Sequence, residues 1–210
     1  MSNGYNYLLY KLNGTPPPWQ EGQIVLSATQ IPIELPPNVQ IRYVGNHPFE
    51  SKFKKYERQL GDVIRTRDKK SGKIQLTIDF KTLRRDIEAL HILGHEEGHL
   101  CHLTGNLMAL YAEARRLGYH FRDLSEDYAR VSDQNAKKVL QNPPKDLELL
   151  CSFIFRTSLL VNPESFADIG GLIGLIKSGV DVRVIDAVAE EIANHGGFWR
   201  MPELLKNLSQ

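Results

Sequence analysis

The sequence is short of cysteine, of net charge and of long apolar runs, and each shortage removes a class of protein. Cys101 and Cys151 are its two cysteines. That is too few for a disulfide-built scaffold, so a reducing compartment is the simpler setting. The formal net charge is +1, which gives no overall field to draw the chain onto nucleic acid or an anionic membrane. No stretch reaches the run of about 18 apolar residues that a membrane span needs. The opening residues MSNGYNYLLYKLNG have neither the basic start nor the apolar centre of a Sec-type signal. The expected location is therefore the cytoplasm, or outside it by a route that reads no N-terminal signal.

What is present is ordinary globular material. The 210 residues are 41% hydrophobic and 24% charged, enough to build a core without covalent help. One domain over 1–210 is expected, with a β and loop portion over 1–80 and a helical portion over 81–210.

The first third is punctuated by Pro16–Pro18 and Pro36–Pro37, which separate short strand-like runs at Gln23–Ser27 and Val39–Val44. Phe53, Tyr56 and Leu60 have helical spacing, so a short helix is expected over Glu50–Leu60. Asp62–Arg67 and Lys73–Phe80 form a predicted hairpin. Ile74, Leu76, Ile78 and Phe80 alternate, which predicts one buried face. The hairpin is basic, with Arg65, Arg67, Lys69, Lys70 and Lys73. Such charge suits a solvated edge that discourages aggregation, or a contact for an acidic partner.

From Lys81 the pattern turns helical. Helices are expected to about Leu103, over Asn106–Leu117 and over Ser125–Leu140. The run Leu147–Val161 is apolar almost all round, as a buried helix would be. Asn162 and Pro163 supply a cap and a first helical residue for a helix ending at Gly179. Asp181 opens the last, which stops near Gly196 and Gly197.

The informative segment is His91-Ile-Leu-Gly-His95-Glu96-Glu97-Gly98-His99-Leu-Cys-His102. On a helix, His95 and His99 lie one turn apart on one face, so both imidazoles can reach a single ion. Zinc in a hydrolytic site takes three protein ligands and keeps one position open for water. Glu96 projects beside that position and is placed to move a proton between water and a leaving amine. A histidine-rich amphipathic helix with no metal would show the same letters. Gly94 and Gly98 each cost roughly 1 kcal/mol inside a helix, which suggests that another backbone approaches closely there.

A third ligand is needed, and Glu164-Ser-Phe-Ala-Asp168 is the best candidate. Its two carboxylates share a helix face. One can ligate the metal while the other accepts the free N–H of a ligand histidine. An acid in the first turn of a helix is also favoured by the helix dipole alone. Glu113, His91 and His102 are rival ligands. The longer three-histidine pattern is not met, because Gly105 stands where its last histidine would be.

These two segments together resemble the gluzincin zinc metallopeptidases. His-Glu-Glu-Gly-His matches their first motif, and Glu-Ser-Phe-Ala-Asp is similar to the Glu-x-x-Ala-Asp signature of the neprilysin-like families. The resemblance covers only these few residues. It implies His95, His99 and Glu164 as zinc ligands, Glu96 as general base and Asp168 as support for a histidine. It also implies an α+β, zincin-like fold: a small N-terminal sheet with an edge strand for an extended peptide or protein substrate, followed by the motif helices. His195 is a further candidate, as donor to the developing oxyanion, with Tyr119, His120 and Tyr128 competing. The expected function is peptide hydrolysis. The alternatives are a regulatory binding module that keeps a structural zinc site, and a hydrolase of other amides.

Overall fold

Alternating apolar residues build the sheet. The computed structural model describes residues 20–21, 24–25, 29, 31–45, 61–80, 86–119, 125–147, 149–150, 154 and 163–195. Among these, six strands precede five helices: β1 (Gln20–Glu21), β2 (Ile24–Val25), β3 (Ile33–Glu34), β4 (Val39–Gly45), β5 (Gly61–Arg67), β6 (Ile74–Phe80), α1 (Asp86–Thr104), α2 (Leu107–Arg116), α3 (Glu126–Gln141), α4 (Pro163–Lys177) and α5 (Val182–His195). The architecture is α+β. No helix among the described residues is long and apolar enough to cross a membrane.

The predicted hairpin is β5 and β6, paired antiparallel from Gly61↔Phe80 to Arg67↔Ile74. Asp68 holds its turn, accepting the N–H groups of Lys70 and Ser71 at 3.0 and 2.6 Å, and Gly72 takes φ 71°. That left-handed conformation is one in which glycine meets no steric penalty. Ile74, Leu76 and Ile78 are fully buried, as their alternation requires. β4 lies parallel to β6 on its other side, giving the order β1-β4-β6-β5. Among the described residues β5 is thus an edge strand. Of the expected strand over Gln23–Ser27, the described residues Ile24–Val25 are strand and pair with β3.

The helices fall close to their expected bounds. Ser125 caps α3 by accepting the Tyr128 N–H at 3.2 Å, and Asp181 accepts the Arg183 N–H at 2.8 Å at the start of α5. The cap of α2 is less local. Asn106 is at the N-cap position, yet its side chain turns away and bonds both backbone groups of Glu34, at 3.0 Å each. Asp133 of α3 takes over the cap, accepting the N–H groups of Leu107 and Met108 at 2.7 and 2.9 Å. The expected helix over Glu50–Leu60, Asn162, Gly196 and Gly197 lie outside the described residues. So does most of the Leu147–Val161 run, in which Leu149, Leu150 and Ile154 are helical.

α1 packs on the sheet with one face and on α4 with another. The second contact is unusually close. A Cβ on Gly94 would lie 2.5 Å from the Gly170 carbonyl oxygen, and one on Gly98 would lie 2.6 Å from the Ala167 Cα. Gly174 sits near Leu90, Gly171 against His91, and Gly98 near Ala167, so the two helices run antiparallel. The helix cost of these glycines is offset by backbone-to-backbone dispersion that no larger side chain permits.

Candidate metal centre

The close helix pair sets the site. Following the antiparallel stagger, the first two turns of α4 lie beside the third and fourth turns of α1, which carry His95 and His99. Glu164 Oε2 is 3.3 Å from His95 Nε2 and 3.6 Å from His99 Nε2. The three ligand atoms lie within 4.8 Å of one another. Donors about 2.0–2.2 Å from a tetrahedral ion are spaced about 3.3 Å apart, so the group could hold a metal ion with little adjustment. It is also open on one side: Glu164 is 49% exposed and His99 16%, while His95 is 3% exposed. Two imidazoles and one carboxylate with solvent access leave room for water at a fourth position.

Asp168 lies one turn beyond Glu164, and its Oδ1 is 3.0 Å from His95 Nδ1. Asp168 is itself buried. Burial alone would lower the pKa of His95. Hydrogen bonds to Asp168 and Glu164 and the nearby Glu96 charge outweigh it and raise the pKa to about 9. The same contacts from His95 and His99 hold Glu164 well below the usual carboxylate range. His99, where burial dominates, is pushed down. One proton on His95 therefore balances the carboxylates where a cation could replace it.

Glu96 is buried. A Cβ on Gly61 would lie 2.8 Å from Glu96 Cγ, so the first residue of edge strand β5 rests directly on this side chain. The expected hairpin begins at Asp62, one residue past Gly61. Its closeness to Glu96 was signalled by nothing except a glycine at a strand end. Glu97 was also missed: it is fully buried and accepts the Thr29 N–H at 3.0 Å, tying the N-terminal segment to α1.

The rival ligands go elsewhere. Glu113 is bound by Arg116 at 2.7 Å and Lys177 at 2.6 Å. His91 is buried with its ring against Gly171, and His102 is buried edge-to-face on Phe166, which stacks on Tyr128. Burial pushes both histidines down to about 3, so they are neutral core groups. Tyr119 Oη donates to Asp186 at 3.4 Å. Cys101 is a buried free thiol, pushed well up by burial. His195 ends α5, but its side chain lies outside the described residues, as do His120 and Cys151. No family model, curated protein or solved structure matches the chain.

Proposed function

We propose that the chain is a zinc metallopeptidase of gluzincin type with a zincin-like fold, His95, His99 and Glu164 holding the ion. One observation carries this reading: Glu164 and Asp168, one turn apart on α4, meet the same histidine from its two ring nitrogens. An ordinary acidic first turn has no reason to do so. A neutral imidazole held through Nδ1 presents its Nε2 lone pair outward, which suits a borderline-soft ion such as zinc. Zinc there would polarise a scissile carbonyl and bring the pKa of a coordinated water to about 7.

The chain's own groups supply the rest. Glu96 follows the first histidine and is walled by Gly61. In that position it takes a proton from water and delivers it to the leaving amine. Asp168 keeps His95 in one tautomer. β5 has a free edge among the described residues, and an extended peptide added there would pass beside Glu96. The exposure of Glu164 favours a working site over a closed structural one.

The test compares wild type with Glu96→Gln. Both should carry about one zinc per chain by elemental analysis. The wild type alone should cleave peptides from a whole-proteome digest, read by mass spectrometry. Zinc in both proteins with no cleavage by either would overturn the peptidase reading and favour a structural metal in a binding module.

A further inference from the structure

The edge strand that starts at Glu96 ends in a basic cleft. Gly61, Val63, Arg65 and Arg67 share one face of β5, because side chains alternate along a strand. Gly61 rests on Glu96, and Val63 is buried. Farther along, Arg65 and Arg67 line a cleft of about 400 Å³ with Lys145, Asp146 and Leu147. Three cations and one carboxylate leave a net positive charge.

The two arginines are not simply solvated. Arg67 Nη2 donates to the Pro144 carbonyl at 3.0 Å, fixing the strand end to the loop after α3. The Nε atoms of Arg65 and Arg67 are both buried without an acceptor among the described residues. By contrast Lys69 and Lys70, at the hairpin turn, are exposed.

We propose that this cleft takes an acidic side chain of the extended peptide cleaved at the metal centre, which makes the enzyme selective for acidic segments. The proposal rests on the peptidase reading. A peptide paired to β5 advances about 3.3 Å per residue, so the acidic position falls about four to six residues from the scissile bond. Guanidinium groups bind carboxylates through paired N–H donors, and the free edge supplies the backbone hydrogen bonds.

The test separates binding from turnover. Fluorescein-labelled dodecapeptides alternating threonine with glutamate, or threonine with glutamine, are titrated at low salt into zinc-loaded, full-length Glu96→Gln protein and followed by anisotropy. The glutamate peptide should bind roughly tenfold more tightly. Arg65→Gln and Lys145→Gln should each erase most of that preference while zinc content stays unchanged. Lys69→Gln with Lys70→Gln should leave it intact. Equal affinity for both peptides, or a preference that survives Arg65→Gln and Lys145→Gln, overturns the proposal. Cleavage of the proteome digest without acidic enrichment also overturns it and leaves the peptidase reading standing. A preference lost in both variants, with no cleavage by wild type, supports the cleft and sinks the peptidase reading.

Discussion

Asp168 and His95 meet through Oδ1 and Nδ1 at 3.0 Å, both buried, while the other ring nitrogen of His95 faces Glu164. The carboxylate sets which nitrogen carries the proton and therefore which is left for a metal. Asp168→Asn keeps the shape and removes the charge. It should weaken zinc binding about 10–100-fold, measured by competition with a chromophoric chelator. Unchanged affinity would mean that Asp168 only fills space.

The third ligand can be separated from its rival by metal content. Glu164→Ala should lose most of the zinc, since two ligands alone hold it poorly. Glu113→Ala should keep it, because Glu113 is bound to Arg116 and Lys177. Zinc retained in the first variant and lost in the second would reverse the assignment.

A metal held at this group would compete with a proton for His95. With a metal-free pKa of about 9, His95 is protonated at neutral pH, whereas His99 is pushed down by its burial and is already neutral. Zinc binding near pH 7.5 should release about one proton per site. Apparent affinity should rise with pH and level off above about 9. Calorimetry in buffers of different ionisation enthalpy counts the protons, and a count of zero would contradict the assignment.

The core histidines act on stability with the opposite sign. His91 and His102 are pushed down to about 3 by burial, below the unfolded value of about 6.5. Their contribution is complete above about 6.5 and is lost as pH falls. His95, raised when folded, contributes fully below 6.5 and so adds no slope in this window. Urea unfolding of the metal-free protein between about pH 6.5 and 4.5 should lose up to about 1.4 kcal/mol per pH unit for each histidine. A flat profile would place both rings in contact with water.

The helix contact can be probed one methyl at a time. Gly94→Ala drives a methyl into the Gly170 carbonyl and should destabilise by about 1–3 kcal/mol, with zinc affinity falling as α4 is pushed away. Gly174→Ala meets nothing nearer than 3.4 Å. It should be neutral or gain up to about 1 kcal/mol from helix propensity. Thermal melts of both variants, with and without zinc, read the difference.

Much of this arrangement is legible in the sequence, and where it is not the reason is physical. Asp181 opens α5 as expected, because a cap and the N–H that it accepts are neighbours in the chain. Asn106 did not cap α2, because Glu34 offered both its backbone groups and Asp133 reached the helix from α3. Neither partner is near Asn106 in sequence. The basic hairpin was read as one set of charges, yet Arg65 and Arg67 are drawn into a cleft while Lys69 and Lys70 stay outside. Which strand residues meet the loop after α3 depends on packing, and alternation alone is silent about it.

His95, Glu96 and His99 share a helix face because a 3.6-residue period is carried by contiguous residues, and the alternation of Ile74, Leu76 and Ile78 marks a buried strand face for the same reason. The tertiary structure decided that Glu164 completes the group and that Glu113 does not. It also decided that Gly61 rests on the Glu96 side chain. Each of these is a distance between segments far apart in the chain, and the Glu164 contact is set by how closely the glycines of α1 and α4 let two backbones approach.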